Sequence, residues 1–95
     1  MFDVTDNKGV RITLANGYSV SIQWGKGNYC NNRNNPDIDY MGPVPASNTA
    51  ETAIIDPDGN FVDNKDNFVD YNGDGVQGYQ TPADVIATLN WASTL

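Results

Sequence analysis

The chain has no histidine, one cysteine and only five basic side chains among its 95 residues. Without imidazole, the most frequent general acid and base is missing, along with the nucleophilic triads and the usual transition-metal sites. Cys30 has no internal disulfide partner, which agrees with a reducing compartment. With no imidazole to activate its thiol, it reads as a small buried hydrophobe. No apolar run is long enough for a signal-peptide core or a membrane span, and residues 1–20 carry Asp3, Asp6, Lys8 and Arg11. The expectation is a cytosolic chain with no membrane segment. The few basic residues match no recognised nucleic-acid motif, so nucleic acid is not an expected partner. Carboxylates could still act as a proton-transfer pair, but the Asp residues sit in polar turns where nothing raises a pKa. No catalytic residue, metal ligand set or cofactor is assigned.

What is present suffices for one domain, residues 1–95. Hydrophobic residues make up 39%, with two Trp, five Tyr and three Phe, enough for one modest core. The net charge of −7 is unevenly spread. Residues 1–34 set Lys8, Arg11, Lys26 and Arg33 against Asp3 and Asp6. From residue 35 onward Asp37, Asp39, Glu51, Asp56, Asp58, Asp63, Asp66, Asp70, Asp74 and Asp84 face Lys65 alone. Such a surface repels nucleic acid and favours a basic protein surface or a cation, though acidity also serves solubility.

"VRITL" and "YSVSIQW" alternate with period two and read as half-buried strands. A two-residue "NG" turn would send their apolar sets to opposite faces. A three-residue loop, Ala15, Asn16 and a left-handed Gly17, instead pairs Leu14 with Tyr18, Ile12 with Val20 and Val10 with Ile22. "TAIIDPDGNFV" predicts a second hairpin of the same design, with Pro57, Asp58 and Gly59 in its loop and Ile55 opposite Phe61. Its strands are apolar on both faces, as expected of a central pair or one lying beneath a helix. "MFDV" is a further short strand before the "DNKG" turn.

"TPADVIATLNWASTL" reads as a helix with Thr81 as N-cap, Pro82 in the first turn and Asp84 acting on the amides and the dipole. Val85, Ile86, Leu89 and Ala92 form the stripe expected on the sheet, with Trp91 and Leu95 toward its edge. Residues 31–48 show no periodicity and form a loop too long to be mere connection. The fold class is therefore α+β: an antiparallel sheet of about four strands, made of two hairpins, with one C-terminal helix packed on it.

"DYNGDG" begins like a calcium loop, but its twelfth position is Thr81, where an EF-hand needs a bidentate carboxylate. The EF-hand is excluded. The neighbouring "DPDGN" and "DNKDN" leave a looser oxygen-rich cation site as an alternative to plain turn chemistry. "NFVD" occurs at residues 60–63 and again at 67–70, consistent with a small duplication that lengthened a loop. A second constellation, "WGKGNYCNNR", offers Trp24 and Tyr29 as stacking faces, Lys26 and Arg33 as cations, Asn28 as a polar contact, and glycines that let a ligand approach. It suits a small phosphorylated ligand. It equally suits a turn that ends a strand.

The blocks "NGYSVSIQWGKGNYC", "SNTAETAIIDPDGNF" and "GVQGYQTPADV" resemble, in the same order, a group of small proteins of tailed bacteriophages and related environmental viral genomes, a group with no assigned activity. The first block is the most specific, and the acidic insert around residues 63–73 departs from the pattern. The resemblance implies origin rather than mechanism: a phage accessory protein working in the host cytoplasm. The leading expectation is a non-enzymatic protein that binds a host protein through Asp56, Asp58, Asp63, Asp66, Asp70 and Asp74 or through the Asn-rich loop. The alternatives are a nucleotide-binding or sequestering protein using Trp24, Lys26, Asn28, Tyr29 and Arg33, and a calcium-stabilised binding module.

Overall fold

The two alternating segments at the start of the chain pair through the three-residue loop that their apolar faces require. In the computed structural model, which describes residues 1–6, 8–38, 44–62 and 75–95, β2 (Gly9–Thr13) and β3 (Ser19–Gln23) set Val10 against Ile22 and Ile12 against Val20. Leu14 N–H donates to Tyr18 O at 2.8 Å, and Gly17 takes the left-handed φ of 88° that the loop demands. β1 (Phe2–Thr5) joins β2 at the edge, β4 (Ala50–Ile55) joins β3, and β5 (Val76–Gln80) joins β4. The result is an antiparallel five-stranded sheet in the order β1-β2-β3-β4-β5 with one helix, α1 (Pro82–Ala92), packed on it.

The class is α+β, with five strands where the sequence predicts about four. The fifth strand is "MFDV", the further short strand that the sequence adds to the two hairpins, and the partner of β4 is mainly "VQGYQ" rather than the return arm of the second hairpin, an exchange that leaves the count unchanged. The turn of that hairpin is as expected: Asp56 N–H donates to Asn60 O, Gly59 has φ 89°, and Ile55 faces Phe61. The arm then contributes one bridge and the bond from Val62 N–H to Ile54 O. β5 takes over the same edge of β4 from Ala53 to Ala50, with Gly75 against the side chain of Phe61.

One face of the sheet carries the core. Val20, Ile22, Ala50 and Ile54 are buried there with Ala92 of the helix, flanked by Val10, Ile12, Trp24, Val62, Val85, Leu89 and Trp91. Burying a Val or Ile side chain among them contributes about 1.5–3 kcal/mol. A polar pair is enclosed with them, Thr52 Oγ1 donating to Gln77 Oε1 at 2.8 Å. The helix starts at the predicted cap: Thr81 Oγ1 accepts from Asp84 N–H and Asp84 Oδ2 accepts from Thr81 N–H. Its other end is held by the β2–β3 loop, where Asn16 Nδ2 donates to Ala92 O and Leu95 O.

The predicted helical stripe needs one correction. Ile86 is 60% exposed, and Thr88 takes its place in the buried set. At 100° per residue, Val85, Leu89 and Ala92 define a face that leaves Ile86 well around the cylinder and brings Thr88 inside. Thr88 can be buried because its hydroxyl donates to Asp84 O at 3.0 Å. Among the described residues, no helix is long and apolar enough to cross a membrane.

Candidate functional site

The segment after β3 closes on itself. Gly25 sits where a Cβ would lie 2.5 Å from Lys8 Cβ, so the close approach of the β1–β2 turn accounts for this glycine. Its N–H donates to Asn28 Oδ1 at 3.0 Å and its carbonyl accepts from the Cys30 thiol at 3.5 Å. Asn28, 7% exposed, turns its other end to Glu51, with Nδ2 donating to Oε2 at 3.0 Å. Tyr29 N–H donates to Oε1 of the same carboxylate at 3.1 Å. Arg33 lays its guanidinium 4.2 Å from the centre of the Tyr29 ring and donates from Nη1 to Gly27 O at 2.7 Å.

Of the five residues that the sequence assigns to a ligand, Asn28, Tyr29 and Arg33 are brought together, and each is used to fasten the loop. The amide of Gly25, one of the glycines expected to let a ligand approach, is taken by Asn28. Lys26 is half-buried. Trp24 is separated from this group: it follows Ile22 on the helix side and packs on the core. Glu51 instead faces the opposite side of the sheet, where it lines a depression of about 300 Å³ with Arg11, Ser21, Gln23 and Phe61. Glu51 is the organising residue that sequence reading missed. Its one signal is a lone carboxylate in the strand "AETAII".

The strand beside Glu51 is irregular in a way that serves the same loop. Between the pairs Ala50↔Gln80 and Thr52↔Gln77, β5 carries one residue more than β4. At this bulge Tyr79 adopts φ 53°, and its N–H leaves the ladder to donate to Tyr29 O at 2.8 Å. Further along, Asn32 Nδ2 donates to Trp24 O and Pro45 O, and Asn31 N–H donates to Thr49 Oγ1. Asn32 thus ties the start of the Asn-rich loop to the chain just after β3 and to Pro45, and the Asn31 amide ties it to Thr49 just before β4. Cys30 is buried, and that burial pushes its thiol pKa up from the ordinary value.

Trp24 does face a cavity. Between the end of β3, the segment 46–49 and the first turns of α1 lies an open pocket of about 460 Å³, lined by Ile22, Trp24, Ala46, Ala50, Val85 and Ile86 among others. Its wall among the described residues is mainly aliphatic and includes no charged side chain. Such a surface favours an uncharged apolar group over a phosphate.

Of the acidic residues assigned to a protein partner, Asp56 and Asp58 lie at the β4 turn. Asp56 Oδ1 accepts from Asp58 N–H and Asn60 N–H, both at 2.9 Å, so its carboxylate shapes the turn. Asp58 is exposed at the tip. Asp63, Asp66, Asp70 and Asp74, and with them the oxygen-rich cation site, lie outside the described residues. Among the described residues, no three His, Cys, Asp or Glu side chains gather as a metal site. Comparison with protein-family models, with curated proteins and with solved structures finds no match to this chain.

Proposed function

We propose that this is a phage-encoded protein that acts in the host cytoplasm by occupying a basic surface of a host protein, without catalysis. The observation that carries this reading is the segregation of charge, with the acids from residue 35 onward opposed by Lys65 alone. Two features add to it. Asp58 projects from the β4 turn, whereas the Arg33 guanidinium is drawn down onto Tyr29 and Gly27 O. The phage origin is supported by the resemblance of the three sequence blocks. An acidic surface steers a basic partner at long range, and that attraction is screened by salt.

The test is a pull-down from host lysate at low and high ionic strength, run beside a variant with Asn at 58, 63, 66, 70 and 74. A partner retained at low salt, released at high salt and weakened in the variant is the expected result. A partner indifferent to both changes, or no partner, would sink the proposal.

The apolar pocket beside Trp24 favours a second reading, capture of a small uncharged ligand. That reading expects uncharged aromatic compounds at millimolar concentration to raise the melting temperature while nucleotides leave it unchanged. A flat response to both sets discards it.

A further inference from the structure

Strand β1 ends the sheet, and its backbone has a definite phase. In an antiparallel ladder, alternate residues bond to the neighbouring strand while those between turn their N–H and C=O away. Met1 and Thr13 exchange both bonds, from Met1 N to Thr13 O at 2.9 Å and from Thr13 N–H to Met1 O at 2.8 Å. With Phe2 opposite Ile12, Asp3 opposite Arg11 and Val4 opposite Val10, this phase directs the groups of Asp3 toward β2. The N–H and C=O of Phe2 and Val4 therefore point off the free edge.

The side chains of the same two residues are also uncovered. Phe2 extends the apolar row Ile54, Val20, Ile12, and Val4 extends the row Ile22, Val10. The helix lies over β3, β4 and β5 and does not reach β1, so Phe2 is 79% and Val4 78% exposed. An edge with unpaired backbone groups and an apolar face is a template for strand addition.

We propose that the occupant of this edge is a second copy of the chain, with the two β1 strands paired antiparallel about a two-fold axis and Phe2 opposite Val4 of the second copy. Three requirements together select this register, since the first alone also admits Phe2 or Val4 opposite itself. Keeping the apolar side chains on one face demands that even-numbered residues meet even-numbered residues. The outward-pointing groups of Phe2 and Val4 then exchange both N–H···O bonds, and the two-fold repeats the exchange. The rows also join without a break, because Val20, Ile12 and Phe2 run on into Val4, Val10 and Ile22 of the second copy.

On the opposite face Asp3 meets its own symmetry mate at the two-fold, flanked on each side by the Arg11 that lies across from it on β2. The row Arg11, Asp3, Asp3, Arg11 carries no net charge, because each Asp3 has an Arg11 across from it on β2. The two directly opposed carboxylates still weaken it, which makes the association reversible rather than permanent.

Sedimentation of the full chain from micromolar to millimolar concentration tests the pairing. The wild-type protein is expected to pass from monomer to dimer across the series. Val4→Pro removes an outward N–H that β2 does not use, so the ladder between β1 and β2 survives, as circular dichroism and melting temperature would show, while the dimer is lost. Val4→Lys, at an exposed position, is expected to abolish the dimer by a different route. Asp3→Asn removes the opposed charges and is expected to tighten the dimer about threefold to fivefold. A wild-type chain that stays monomeric throughout, or a dimer unchanged in both Val4 variants, would overturn the proposal. A dimer weakened by Asp3→Asn would overturn the register.

Discussion

Replacing Glu51 measures how far one carboxylate holds the loop after β3. The Glu51 side chain accepts from Asn28 Nδ2 at 3.0 Å and from Tyr29 N–H at 3.1 Å. Each bond has a carboxylate acceptor, and its partial exposure to solvent holds its worth to roughly 1–1.5 kcal/mol. Glu51→Ala removes both and leaves Asn28 Nδ2 in a place that water reaches poorly. The expected loss is about 2–3 kcal/mol. For a domain of this size it lowers the melting temperature by about 10–15 °C. Glu51→Gln keeps one carbonyl oxygen and turns an amide toward the other donor, so its cost is about half as large.

Urea titration followed by tryptophan fluorescence gives the free energies. A double-mutant cycle with Asn28→Ala isolates the Asn28–Glu51 pair, expected at about 1–1.5 kcal/mol. Hydrogen exchange adds a local readout, because the amides of Tyr29 and Tyr79 both depend on this loop remaining docked. If Glu51→Ala costs under about 0.5 kcal/mol, or if Glu51→Gln matches wild type, the carboxylate does not organise the loop and the reasoning fails.

Two glycines separate steric from conformational cost. Gly59→Ala, at φ 89° with nothing within 4 Å of the added carbon, is expected to cost about 1 kcal/mol. Gly75→Ala, at φ 88° and 2.7 Å from Phe61 Cβ, is expected to cost about 2–3 kcal/mol; equal denaturation midpoints for the two would refute the close packing of Gly75 on Phe61. For Cys30, burial favours the neutral thiol, so its folded pKa lies above its unfolded one. The stability it confers is complete below the unfolded thiol pKa and disappears as pH rises through the raised value, a decline that Cys30→Ala should remove from urea midpoints measured in the alkaline range. Native protein at neutral pH is also expected to react with a thiol reagent far more slowly than the unfolded chain.

The elements that were legible in the sequence are those whose local chemistry and hydrophobic period agree. The β2–β3 hairpin follows from two alternating apolar sets and a glycine that can turn left-handed, and the helix start from Thr81, Pro82 and Asp84. β5 was hidden because its buried positions are Gln77, Gly78 and Gln80, which carry no apolar signal. Gln77 becomes a core residue only by meeting Thr52, a partner 25 positions away. Ile86 misled the stripe because its apolarity gives no sign that Thr88 can satisfy its hydroxyl on the helix's own backbone. The ligand constellation around Trp24 and Tyr29 was visible as residue types, but only three-dimensional pairing reveals that Asn28 and Arg33 are already engaged and that Trp24 looks the other way.

Phe61 and Gly75 touch although twelve residues of chain run between Val62 and Gly75. That approach fixes the two ends between which the intervening sequence must close, and closure entropy rises by only about 0.6 kcal/mol for each doubling of a closed length. Sequence added between these two anchors is therefore expected to leave the register of β4 and β5 unchanged.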